Sequence, residues 1–267
     1  MLRQPVVSGQ FYPGNKDDLL KTLSAFMTPT PGDGAAIALM SPHAGYVYSG
    51  SVAGKTLSST GIPDEVIVLG PNHHGRGAAA AVFTTGSWQT PLGQVDIASE
   101  LAVRVLEECP MASADTVAHQ FEHSLEVQVP FIQFHAPQAQ ILPVCISHLS
   151  LPQLLQLGDG IARAAQKSEM RPMIVASTDM THYESGKIAR QKDNLAIDRV
   201  LALDPEGLYN VVRQNRISMC GVMPTVVMLQ AALALGATGA ELIAYSNSGD
   251  VTGDQSEVVG YAGVRVF

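Results

Sequence analysis

The sequence predicts a single three-layer αβα domain, spanning 1–267, with a mostly parallel central sheet. Two observations carry that reading. Short apolar runs alternate along the chain with longer stretches of helical period, which is the pattern of parallel strands covered by helices. Three of those runs also end alike, in a turn carrying histidine or aspartate: His43, then His73 and His74, then Asp179 and His182. The carboxyl ends of parallel strands share one edge of an open α/β sheet, and ligands bind there. The three turns are therefore expected to converge.

Taken in order, Ser8 to Gly14 is a turn with two aromatics, Phe11 and Tyr12. Asn15 caps a helix whose first turn holds Asp17 and Asp18 and whose apolar face holds Leu19, Leu20 and Leu23. Residues 35–40 form a buried strand leading into Ser41-Pro42-His43-Ala44-Gly45-Tyr46. Small residues at 48–57 suit a helix. The run 66–69, Val-Ile-Val-Leu, is a strand stopped by Gly70-Pro71. A strand at 79–84, a loop at 88–95 and a helix at 98–107 follow.

Further on, 141–145 is a strand, 151–166 a helix, and 172–176 a strand ending in Ser177-Thr178-Asp179-Met180-Thr181-His182. Helices are expected at 188–203, 205–214 and 224–235, the last with Pro224 in its first turn, where proline is tolerated. A loop before it carries Met219-Cys220-Gly221. Strands at 242–246 and 258–266 close the chain across a polar loop at 247–255.

Composition narrows the function. Hydrophobic residues make up 46% and charged residues only 15%, as in a packed globular protein. The net charge is −8 without a Lys/Arg cluster, so nucleic acid is not an expected partner. Met1 to Pro5 lead into no apolar segment of a signal peptide. The longest apolar stretch, 222–237, is broken by Pro224 and Gln230, so no membrane span is expected. Three widely spaced cysteines, Cys109, Cys145 and Cys220, suit a reducing, cytoplasmic setting rather than a disulfide framework.

Imidazole is the commonest protein metal ligand and the usual acid–base group near neutral pH, so the three histidine-bearing strand ends read as one shared site. Asp179 and His182 are three apart. In a helical turn Asp179 would orient His182, and otherwise it caps the next helix. His119-Gln120-Phe121-Glu122-His123 fits the H-x-x-E-H pattern of inverted zinc peptidases. Pro130 argues against it, because proline belongs in a first helical turn, which leaves 119–123 in the loop before. Phe11, Tyr12 and Tyr46 form either a pocket wall or plain core. His135 and His148 read as surface residues, Cys109 and Cys145 as structural ones.

Six segments together make a family resemblance. They are Gly9-Gln10-Phe11-Tyr12-Pro13, Pro42-His43-Ala44-Gly45-Tyr46, Gly70-Pro71-Asn72-His73-His74, Glu122-His123-Ser124-Leu125-Glu126, Ser177-Thr178-Asp179-Met180-Thr181-His182 and Cys220-Gly221. In this order they resemble the Memo family, whose bacterial and archaeal members are linked by name to a radical-SAM protein. That family is in turn similar to class III extradiol dioxygenases, which bind iron(II) with two histidines and a glutamate. The resemblance implies His43 and His73 as metal ligands and Cys220 in the place of the glutamate. It also implies His182 as the acid–base residue and His123 in the pocket near the metal, and Asp179 joins them as a catalytic candidate through its spacing to His182. A thiolate is softer than a carboxylate and shifts preference from iron(II) toward copper(I) or zinc. The implied function is a metal-dependent redox protein of unknown substrate. The alternative is a non-catalytic protein holding metal, a small molecule or a peptide in the same pocket.

Overall fold

The strands expected at the histidine-bearing turns lie side by side in the computed structural model, which describes residues 1–27 and 36–267. The first residue of the strand expected at 35–40, Ala35, falls outside that range. In chain order the strands are β1 (Leu2–Arg3), β2 (Ala38–Ser41), β3 (Glu65–Pro71), β4 (Ala80–Val82), β5 (Ser87–Thr90), β6 (Gly93–Asp96), β7 (Ser113–Ala114), β8 (Gln140–Ile146), β9 (Met173–Ser177), β10 (His182–Glu184), β11 (Ala240–Asn247) and β12 (Val258–Val266). The longer helices are α1 (Lys16–Phe26), α2 (Tyr46–Leu57), α3 (Ser99–Glu108), α4 (Val129–His135), α5 (Leu151–Gln166), α6 (Gly186–Leu201), α7 (Pro205–Gln214) and α8 (Val222–Ala234).

At the centre of the main sheet, β2, β9, β3 and β8 pair in that order and all run parallel. Every residue of β2, β3 and β9 is buried, as strands covered by helices on both faces must be. The expected parallel sheet is this centre, and its flanks are antiparallel. On one side β12 runs against β2 and also pairs with β10 and β11, and on the other β4 runs against β8. The chain returns from β11 to β12 through a polar loop with a single helical turn at Gly249–Thr252 and no crossover helix, and only antiparallel strands can be joined that way.

Local chemistry explains most elements. The Asn15 side chain accepts the Asp18 N–H and starts α1. Ser150 and Gln153 form a capping box at α5, which spans the range expected for it. Pro130 sits in the first turn of α4, as its missing N–H requires. The loop expected at 88–95 is instead the hairpin β5–β6, in which Thr90 pairs with Gly93 around Pro91-Leu92. Trp88 on that hairpin is buried, and β5 accepts β1 as a parallel neighbour, making a small separate sheet.

Two apolar clusters cover the main sheet. One, with Leu69, Ile174, Met228 and Leu229, lies under α5 and α8; the other, with Val68, Val175, Leu57 and Phe131, lies under α2 and α4. Residues Ser41 and Ser177 are direct partners in register, as are Leu69 and Ala176, so β2, β9 and β3 end level with each other. The turns bearing His43, Asp179 and His73 therefore leave the sheet at one edge.

Candidate metal centre

Each histidine at that edge is oriented by a different partner. His73 follows β3, and the Glu122 carboxylate fixes it twice. Oε2 accepts its backbone N–H at 2.6 Å and Oε1 accepts its Nδ1–H at 2.8 Å. Glu122 also accepts the Ser124 N–H at 2.9 Å and is fully buried. Burial alone would raise the Glu122 pKa. The bond and charge of His73 and the two backbone N–H groups outweigh it and hold the carboxyl well below the usual range. Facing a carboxylate, Nδ1 of His73 carries hydrogen, and in the neutral ring that leaves the lone pair on Nε2.

His43 reaches the same state through neutral groups. Its Nδ1 lies 3.0 Å from Ser177 Oγ. That hydroxyl donates to the Ser124 carbonyl at 2.7 Å and accepts the Gln128 Nε2–H at 2.9 Å. Its hydrogen is committed, so it must accept from His43, and Nε2 of His43 carries the free lone pair. Burial first, then the neighbouring His73, lower the His43 pKa to about 3, which keeps the ring neutral. The Asp179 carboxylate 4.0 Å from Nε2 is therefore no ion-pair partner.

His123 completes the group. Its ring stacks on His73 with centroids 4.6 Å apart and meets His43 edge-on at 5.6 Å. Phe11 covers its outer side at 4.9 Å. Burial and the neighbouring His43 bring its pKa down to about 4. One nitrogen from each of His43, His73 and His123 lies within 4.8 Å of the others, a separation at which the three can hold a metal ion.

Cys220 stands at the start of α8 with Sγ 3.3 Å from His43 Nε2. The Asp179 N–H donates to the sulfur at 3.2 Å. The backbone that carries it packs closely against the end of β9. A Cβ on Gly221 would meet the Ser177 carbonyl oxygen at 2.4 Å, and the Gly221 N–H is bound by Thr178 Oγ1. Burial and the Asp179 charge push the thiol pKa well up, so the sulfur is a thiol unless a cation stands beside it.

Asp179 and His182 do not pair as a helical turn would have paired them. Asp179 Oδ1 accepts the backbone N–H groups of His43 at 2.8 Å and Ala44 at 3.3 Å, which ties the β9 turn to the β2 turn. His182 Nδ1 faces the carbonyls of Met180 at 2.8 Å and Ser218 at 3.0 Å. The reason is that 179–182 is extended: His182 opens β10 and pairs with Val259. Facing two acceptors, Nδ1 must carry hydrogen, which leaves Nε2 as the basic nitrogen.

His119 is buried core between Phe83 and Trp88, bonded to the Ala81 carbonyl, and 119–123 is not helical, so no peptidase motif forms. Of the three aromatics, Phe11 lines the site while Tyr12 and Tyr46 are buried. Sequence reading gave no role to Ser177 or Gln128 and left the role of Glu122 open. Ser177 opened one of the resemblance segments, but a serine at a strand end is ordinary and nothing local tied it to His43. Glu122 offered one, its place beside His123.

A family model described as Memo-like protein matches residues 3–265. A MEMO1 family protein of Methanopyrus kandleri is 41% identical over 278 residues, covering 99% of this chain and 98% of that one. Another from Methanosarcina barkeri is 40% identical over 267 residues, covering 99% and 100%, and one from Aquifex aeolicus is 40% identical over 265 residues, covering 98% of each. Among solved structures, an uncharacterized protein from Escherichia coli K12 aligns with a TM-score of 0.52 at 16% identity, over 86% of this chain and 99% of that one. That likeness shows the shared αβα fold alone.

Proposed function

Because this chain belongs to the Memo-like protein family, we propose that it binds one transition metal through His43, His73 and Cys220 and uses it in redox chemistry. The observation that carries the reading is the pair of locked tautomers. Glu122 and the Ser177–Gln128 pair leave Nε2 of both His73 and His43 as lone pairs, and the Cys220 sulfur stands against the second. A histidine that donates its other ring N–H to a carboxylate or carbonyl-type acceptor is the usual arrangement around protein metals. Two tetrahedral ligands at ordinary metal–nitrogen and metal–sulfur lengths lie about 3.5 Å apart, close to the spacing of Cys220 and His43. His123, stacked on His73, supplies a third imidazole to the same space.

The thiol and imidazoles suit copper(I) or zinc, and iron(II) is accepted by the histidine pair. The metal would supply Lewis acidity and, as iron or copper, one-electron exchange. His182 Nε2, with its tautomer fixed by Met180 and Ser218, would take or give the substrate proton. Asp179 positions His43 through the two backbone N–H groups that its Oδ1 accepts.

Metal content after anaerobic purification, followed by oxygen consumption, tests the proposal. His73→Ala and Cys220→Ala should lose metal, whereas His182→Ala should keep it and lose about 10²–10⁴-fold in rate. Full metal in both of the first variants would remove those residues from the proposal. A second reading, a non-catalytic metal- or peptide-binding protein, is favoured by the thiol in the carboxylate position. It is the correct one if metal-loaded wild type and His182→Ala are equally inert.

A further inference from the structure

The loop after His73 plays no part in holding metal, yet it is built with some care. Asn72 Nδ2 donates to the Arg76 carbonyl at 2.7 Å and closes the loop. Gly75 and Gly77 take φ of 62° and 75°, a region that strains other residues. Beyond them the Asp115 carboxylate accepts the N–H groups of Ala78, Val117 and Ala118, so the two neighbouring loops are fastened together.

This bracing directs two side chains onto one ring. The Arg76 guanidinium lies 5.0 Å from the Phe121 centroid, and the His74 ring lies 6.3 Å from it. All three residues are exposed to solvent. Among the described residues no carboxylate comes within ion-pair distance of Arg76. A stacked arginine without an acidic partner keeps its planar fork of N–H donors free for a carboxylate or phosphate. His74 adds a ring N–H whether neutral or charged, so the pair does not depend on its protonation.

Chain connectivity keeps the backbone of this pair close to that of the metal centre. His74 adjoins His73, and Phe121 is two residues from His123, a Cα separation of at most about 7 Å. We propose that Arg76 and His74, seated on Phe121, form an oxyanion subsite beside the three histidines, and that the pocket's ligand is a small molecule bearing a carboxylate or phosphate at the end away from the metal. The placement of the other end rests on the metal-binding reading above.

Calorimetric titration of the full chain with phenyl phosphate, benzoate and neutral benzyl alcohol tests the subsite. Metal content is measured on the same samples. Arg76→Gln should weaken oxyanion binding about tenfold or more, the loss expected for a charge-assisted contact. It should leave metal content and the response to benzyl alcohol as in wild type. Phe121→Ala should weaken oxyanion binding by a smaller factor, because Arg76 loses its platform. The stronger of the two anionic probes identifies the oxyanion. Equal affinity in wild type and Arg76→Gln overturns the proposal, as does failure of both anions to bind wild type at about millimolar concentration. Oxyanion binding by a wild-type protein that takes up no metal supports the subsite and removes the metal reading instead.

Discussion

Glu122→Gln is the sharpest perturbation of the site. The Glu122 carboxylate accepts from three N–H groups: His73 Nδ1 and Ser124 N on one oxygen, His73 N on the other. Glutamine has the same shape but presents one oxygen and one NH₂. Whichever way the amide turns, its NH₂ meets an N–H, and at least one bond becomes a donor–donor contact in a fully buried position. Loss of a hydrogen bond to a charged acceptor is worth about 1.5–3 kcal/mol, and urea unfolding should show a destabilisation of roughly that size. His73 also loses the group that fixes its tautomer, and changes of this kind lower metal affinity by about 10–100-fold. Competition against a chromophoric chelator measures that affinity directly. Affinity unchanged within about twofold, in a variant destabilised as expected, would show that His73 does not hold the metal through Nε2.

Arg3 is buried and donates to the carbonyls of His119 and Glu122 and to the Glu126 carboxylate. Arg3→Met should lower unfolding free energy by about 3–5 kcal/mol, because it strands the Glu126 charge; guanidinium denaturation gives the value. Gly221→Ala should destabilise by about 1–3 kcal/mol through overpacking, since its Cβ would meet Ser177 O and Thr178 Cβ at 2.4 Å. Gly61→Ala, which meets nothing within 4 Å, is the control in the same thermal melts. Burial raises the Asp115 pKa, but the N–H groups of Ala118, Ala78 and Val117 more than offset it and leave the carboxyl below its ordinary value. Its folded value is the depressed one, so its contribution is present above the unfolded value and lost as pH falls through the folded one. Asp115→Asn should therefore flatten the acid limb of the stability curve, and parallel limbs in the two proteins would contradict the assignment.

Much of this was legible without coordinates. The apolar run at 66–69, the Gly70-Pro71 stop and the histidines after it predict a strand ending at a site, and β3 delivers His73 there. Pro130 located the start of α4 and so excluded a helix through 119–123. The hairpin β5–β6 escaped because Pro91-Leu92-Gly93 reads as an open loop. Its pairing is held by the burial of Trp88 against distant residues, not by turn residues of the usual type.

The sequence by itself determined the four central strands, most of the helices, and that three strand ends carry the chemistry, because apolar period and turn residues act over a few positions. Only the tertiary structure decided how those residues are used. It set β9 between β2 and β3, turned Asp179 onto the backbone of His43 rather than onto His182, and brought Glu122 to His73 and Ser177 to His43. These partners are 49 to 136 positions apart in the chain. Their meeting depends on strand order and register, which arise from burying both faces of the sheet at once, and no local pattern encodes that.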